Sequence, residues 1–379
     1  MIENLINSLN AARFLKEFSF SKNDFTPNPG QEIEFADHVI CIEDLLIVFQ
    51  LKERKVKSNQ TLLTEKKWFE NKVLNISKKQ IKNTIKYFQE NDHIEIINQR
   101  GYKFDIKSNK INIIIKLIVY SPSRNLPREC YELKFYNSAD IGFIHVLADH
   151  DYKNICNTFI TPIEIAQYFN FREKILTKFP TFINEKAIVG QCISGHFDSS
   201  PDKKYVEYLE SLENDVEEFD ISSLLKDFKE SIENQNDLKD ENDYYVILQE
   251  FAKLHRADLR EVKKRIVKSI EKCKSNKFSK PFRMLSTITK CGFVFIPIEK
   301  ELIDQRRVAL TNLTYASKYL FKIRKHIGIS FVMDRGFIRI EWCIMDFDWH
   351  EDSNLKKELD NNNPFRNVQA RKIESYKFR

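Results

Sequence analysis

"DHVICIEDLLIVFQLKER", residues 37–54, is the stretch that decides how this chain reads. Apolar runs at 39–42 and 45–49 flank one polar pair, Glu43-Asp44. Two such runs around two turn-forming residues predict a β-hairpin with buried strands. With Glu43 and Asp44 as the turn, Ile42 faces Leu45 and Asp37 faces Gln50. Opposed residues of an antiparallel pair share a sheet face, and so do residues two apart on one strand. The register therefore gathers Asp37, Gln50 and Lys52 within roughly 5–7 Å of one another. An aspartate and a lysine at the edge of a buried sheet are costly unless paired or used.

That trio suits metal-assisted phosphodiester cleavage. The carboxylate of Asp37 can hold Mg²⁺, a hard cation that prefers oxygen, with Mn²⁺ as a substitute. The amide oxygen of Gln50 and the main-chain carbonyl of Leu51 can complete the shell. The ammonium of Lys52 can orient the attacking water and offset charge growing on the phosphate.

The arrangement resembles the PD-(D/E)xK, or restriction-endonuclease-like, nuclease superfamily. Asp37 matches the first acid, and Gln50-Leu51-Lys52 matches the (D/E)xK tripeptide in the QxK form of Mrr-type enzymes. Ala36 stands where that pattern usually has proline. The resemblance implies a mixed sheet flanked by helices over residues 1–175. It also implies a further acid on the preceding helix, here Glu17 in "FLKEFSF", and a glutamine on the following helix, here Gln80 in "KKQIKNTIKYF". Gln80 falls on a helical stripe with Phe69, Val73, Ile76, Thr84 and Tyr87. The expected activity is a Mg²⁺-dependent DNA endonuclease, with prokaryotic defence against foreign DNA as the setting the resemblance suggests. Because many enzymes of this fold pair two sites, a homodimer is expected, or else an activating protein partner.

The tripeptide alone carries little weight. Asp105-Ile106-Lys107 and Glu132-Leu133-Lys134 fit the same pattern. They lack an acid set across from them on a preceding apolar strand. Residues 52–90 hold eleven Lys and Arg against four acids, while the whole chain of 379 residues carries a net charge of +6. This run begins at Lys52, where a phosphate-binding wall is needed, and Arg54, Lys55, Lys57, Lys78, Lys79 and Lys82 are its expected DNA contacts. The competing reading is a nuclease-like protein that binds nucleic acid or acts as a scaffold without cutting.

Beyond the hairpin, helical spacing runs through residues 2–20 and 64–90, and "NDFTPNPGQ" (23–31) reads as a loop. "INIIIKLIVY" (111–120) and "IGFIHVLA" (141–148) read as buried strands, and Thr161-Pro162 as a helix start. An acidic stretch at 207–243 marks a helical connector, placed overall at 176–243, and a C-terminal α+β domain, for sensing, regulation or oligomerisation, follows at 244–379. Seven scattered cysteines argue against a disulfide framework and for a cytoplasmic setting. The start lacks a signal-peptide pattern, and no apolar run is long enough to span a membrane. With 8 glycines and no phosphate-cradling loop, NTP binding is not expected.

Overall fold

The computed structural model describes residues 2–21, 24–28, 31–34, 36–54, 61–101, 103–181, 184–212 and 244–365, with side chains left out at 24–34. It divides into two compact units, residues 1–213 and 214–379. Both are α/β, and in each a mixed sheet is flanked by helices.

The first unit opens with helix α1 (Ile2–Phe14), a short 3-10 turn (Lys16–Phe18) and strand β1 (Ser19–Ser21). The helix expected to reach residue 20 ends early. Leu15 takes φ +65°, which no α-helical residue can hold, and the chain turns there. The stretch read as a loop, 23–31, instead holds strand β2 (Asp24–Asn28) and the first residue of its antiparallel partner β3 (Gln31–Glu34).

Next come β4 (His38–Ile42) and β5 (Leu45–Glu53), the hairpin of the opening. Its ladder runs from Ile42↔Leu45 to His38↔Phe49, so the expected register is the observed one. Glu43, the first turn residue, takes φ +51°, as a two-residue hairpin turn demands. A long crossover then carries the chain back across the sheet through α2 (Leu62–Trp68), wide π-type turns (Phe69–Ile76) and α3 (Ser77–Glu90). After the small hairpin of β6 (His93–Ile97) and β7 (Lys103–Lys107), β8 (Ile113–Ser121) lies parallel to β5. Helix α4 (Arg128–Glu132), β9 (Phe135–Ser138) and β10 (Gly142–Ala148) complete a six-stranded sheet of order β1-β4-β5-β8-β10-β9. Helices α5 (Asp149–Thr158), α6 (Pro162–Lys178), α7 (Glu185–Ser194) and α8 (Lys203–Glu210) close the unit.

The sheet is buried on both faces, which explains why β4 and β5 read as continuous apolar runs. Val39, Cys41, Leu46, Val48, Ile118 and Val146 pack under Phe69, Val73, Ile81, Ile85 and Phe88 of the crossover. Each such side chain contributes about 1.5–3 kcal/mol by leaving water. On the opposite face Phe49 meets Tyr152 of α5 edge-on, ring centroids 5.7 Å apart. Helix α6 starts where Thr161-Pro162 signalled, with Thr161 Oγ1 accepting from the Glu164 N–H.

Residue 175, the expected end of the first domain, lies inside α6, and α7 and α8 fall within the first unit. The part of the expected connector from 213 to 243 lies outside the described residues, as does the tail beyond 365. The second unit holds helices Tyr245–Ala252, Arg256–Ser275, Arg306–Phe321 and Ser353–Asn361 around a sheet of order β11 (Phe282–Leu285), β12 (Cys291–Ile298), β13 (Lys325–Asp334), β14 (Phe337–Asp346). Strands β12 and β13 are parallel. Strands β13 and β14 form a hairpin whose turn residues Arg335 and Gly336 both have positive φ, +48° and +92°. Among the described residues no helix is long and apolar enough to cross a membrane.

Candidate active site

Strands β5, β8 and β10 run in one direction, so their carboxyl ends share one edge of the sheet. Ligands of open α/β sheets settle at such edges. Lys52 is level with Tyr120, and Tyr120 is level with Ala148. Asp37 stands at the same edge, one step before β4 begins.

Asp37 does not continue the backbone ladder; its side chain does. Oδ2 accepts the Leu51 N–H at 2.5 Å, which fixes the carboxylate over the end of β5. The ammonium of Lys52 then closes the cluster. Its Nζ donates to Asp37 Oδ2 at 3.3 Å, to Gln50 Oε1 at 3.2 Å and to the Leu51 carbonyl at 3.2 Å. Three oxygens from three residues thus converge on one positive charge. Gln50 is 2% exposed, so its amide is held in place rather than free in water.

The walls are apolar. Tyr120, beside Lys52, is 2% exposed and meets Phe69 edge-on at 5.1 Å. Burial first, and the carboxylates of Asp151 and Asp149 after it, push its phenol well above the usual range. It is a neutral hydroxyl at any working pH. Behind the cluster, burial holds His38 down to about 3 and Cys41 up to about 12, so both are uncharged.

The remaining expected residues are not brought to this cluster. Glu17 sits on the 3-10 turn, beyond Ser19, which pairs with Ile40. That places it at the hairpin-turn end of the sheet, roughly 15 Å from Asp37. Its carboxylate pairs with Arg100 at 2.9 Å. Gln80 is displaced in two ways. The wide turns at Phe69–Ile76 rotate the helical stripe by one residue, so Ser77 and Ile81 are buried while Ile76 is 38% exposed. Gln80 also lies about three turns past Phe69, roughly 15 Å along the axis.

Of the expected DNA contacts, Lys78 Nζ rests 4.6 Å from the Tyr136 ring centroid, Lys82 pairs with Asp140 at 2.5 Å, and Lys79 is exposed. Lys55 and Lys57 lie outside the described residues. Arg54 pairs with Glu65 at 3.1 Å. The rival tripeptides are engaged elsewhere: Asp105 with His93, Glu132 with Arg128, and Lys134 with Asp151.

Two features of the edge escaped sequence reasoning. One is Glu65, fully buried, which accepts from Ser123 Oγ at 2.6 Å and so ties α2 to the segment after β8. The other is Asp149-His150-Asp151 at the carboxyl end of β10. Asp149 accepts from Ser121 Oγ at 2.7 Å, and hydrogen bonding to Asp149 holds the His150 ring above its ordinary range. The position directly after a buried strand was the available signal for this triplet.

Among the described residues no three His, Cys, Asp or Glu side chains form a metal-binding group. The Asp37 cluster offers a different donor set: one carboxylate, one amide and one main-chain carbonyl, all hard oxygens already gathered about a cation. No family model, curated protein or solved structure matches this chain.

Proposed function

We propose that this protein is a metal-dependent DNA endonuclease of the restriction-endonuclease-like type. The observation that carries the reading is the convergence of Asp37 Oδ2, Gln50 Oε1 and the Leu51 carbonyl on Lys52 Nζ. In support, a helix, an antiparallel hairpin, a crossover helix and a parallel third strand follow one another, with the cluster at the strands' carboxyl edge.

The oxygens of Asp37, Gln50 and Leu51 would hold Mg²⁺ or Mn²⁺. The metal, when bound, supplies Lewis-acid polarisation of the phosphate and a water of lowered pKa. The chain's own work is to aim and to balance charge. The Leu51 N–H keeps Asp37 pointed at the cluster. Lys52, at the same edge, would serve the reacting phosphate as donor and counter-charge. Tyr120 and Phe69 keep one wall dry, which strengthens each of these interactions.

A cytoplasmic protein acting in prokaryotic defence, as a homodimer or with an activating partner, is part of this proposal. The seven free cysteines suit a reducing compartment. A second reading, a silent nuclease-like binder, draws on the neutrality of Gln50 and on how fully the Asp37 carboxylate is shared between Leu51 and Lys52. Incubation of plasmid DNA with the full chain and Mg²⁺ or Mn²⁺ separates the two. Cutting by the wild type and its loss in Lys52→Ala supports the enzyme. Retained DNA binding without cutting in either metal supports the silent binder.

A further inference from the structure

We infer that Arg54, braced by the buried carboxylate of Glu65, grips the phosphate adjacent to the one that Lys52 serves. The site is then built for a polynucleotide rather than for an isolated phosphodiester. This inference rests on the reading of Lys52 as a phosphate partner.

The geometry begins with spacing. Arg54 directly follows β5, which ends at Glu53, and lies two positions past Lys52, so the Cα atoms of the two are about 6.5–7 Å apart. The contacts of Arg54 fix its side. It meets Thr64, Glu65 and Trp68 of α2, and the next residue, Phe69, covers Tyr120, the cross-strand neighbour of Lys52. Neighbouring phosphates on one nucleic-acid strand have a comparable separation, so the two cations can take consecutive phosphates.

The guanidinium is anchored on one side and open on the other. Nη1 donates to the Thr64 carbonyl at 3.2 Å and stands 3.1 Å from Glu65 Oε1. The Arg54 Cζ lies 5.9 Å from the Trp68 ring centroid. Among the described residues, Nε and Nη2 donate to nothing, and the side chain is 22% exposed. A free edge with two N–H vectors matches a phosphate in the bidentate manner of arginine.

Glu65 is what makes the clamp rigid. It is fully buried, and Ser123 Oγ holds its Oε2 at 2.6 Å. Its Oε1, off the axis of any N–H bond, faces Arg54. An isolated buried carboxylate is costly, so Arg54 is drawn toward it and cannot swing into solvent. Binding then loses little side-chain entropy, which is the advantage of a pre-set arginine over a loose lysine.

The test is a protein-by-substrate cycle. A short fluorescent DNA duplex is made with one uncharged methylphosphonate moved phosphate by phosphate along the strand. Binding is read by anisotropy in Ca²⁺, and cutting is read separately in Mg²⁺. For the wild type, one substitution next to the cut site should weaken binding about tenfold, in the range of a lost charge-assisted contact. In Arg54→Gln that substitution should have little further effect, Arg54→Lys should restore part of the sensitivity, and Glu65→Gln should raise KM more than it lowers kcat. Equal sensitivity of wild type and Arg54→Gln at every phosphate overturns the inference. Absence of cutting with the binding coupling intact overturns the nuclease reading and leaves the clamp standing.

Discussion

The Asp37 carboxylate and the Lys52 ammonium stand 3.3 Å apart across the open end of a hairpin, and the same Asp37 oxygen also receives the Leu51 N–H at 2.5 Å. One oxygen therefore has two duties, to complete the strand pairing and to hold a charge at the sheet edge.

Those duties separate under mutation. Asp37→Ala leaves the Leu51 N–H, on a residue 7% exposed, without its acceptor and should cost about 1–3 kcal/mol. Asp37→Asn keeps an acceptor but no charge. Both variants should lose metal-dependent cutting, whereas urea denaturation should show the larger loss of stability only in Asp37→Ala. Equal stability losses in the two variants would show that the Leu51 bond matters little.

Gln50 contributes a neutral oxygen to the cluster. Gln50→Glu adds a second carboxylate beside Lys52, and divalent affinity rises with ligand charge. The Mg²⁺ concentration for half-maximal cutting should fall about tenfold. An unchanged or higher requirement would remove Gln50 from the metal shell.

In the second unit, burial holds His326 down to about 3 against an ordinary value of 6.5. Its Nε2 meets Ser317 Oγ at 2.8 Å, and its Nδ1 is buried without a partner. The folded ring refuses a proton that the unfolded chain accepts. Its contribution to stability is thus complete above the unfolded pKa and declines as pH falls toward the folded one. The loss should reach about 2 kcal/mol by pH 5. Fluorescence-monitored unfolding, with Trp342 and Trp349 as reporters, should show a shallower pH slope for His326→Gln than for wild type.

Gly328 of β13 sits under the helix Arg306–Phe321. A Cβ there would fall on Thr314 Oγ1 and lie 3.0 Å from both Cys343 Sγ and Leu310 Cδ1. Thr314 cannot retreat, because its hydroxyl is bonded to the Leu310 carbonyl at 2.5 Å. Gly328→Ala should destabilise the second unit by about 1–3 kcal/mol. A denaturation midpoint unchanged from wild type would show that the helix can lift at little cost.

The hairpin was legible because its signals are local. Two apolar runs and a two-residue turn admit few registers, and a slip of one would turn every buried side chain outward. What escaped was geometry that sequence does not announce. Leu15 gives no hint of a positive φ, yet it moves Glu17 off the helix and away from the edge. Pro27, Pro29 and Gly30 read as loop and mask the pairing of β2 with β3. The wide turns after Trp68 shift the apolar stripe by one residue, which defeats a strict 3.6-residue count and misplaces Gln80. Arg54 and Glu65 meet only because the chain folds back after β5.

The parallel pairing of β5 with β8 also orders events in time. The Asp37–Lys52 contact joins residues only 15 apart, whereas the Glu65–Ser123 contact spans 58 and waits for the crossover to close. Hairpins form in about 1–10 μs, and long-range parallel pairing is slower. During synthesis Asp37 can therefore meet Lys52, and Arg54 can meet the nearby Glu65, long before Ser123 arrives to lock the Glu65 carboxylate in place. On the proposed reading, the residues that would do the cutting are assembled before the brace of the phosphate grip is locked in place.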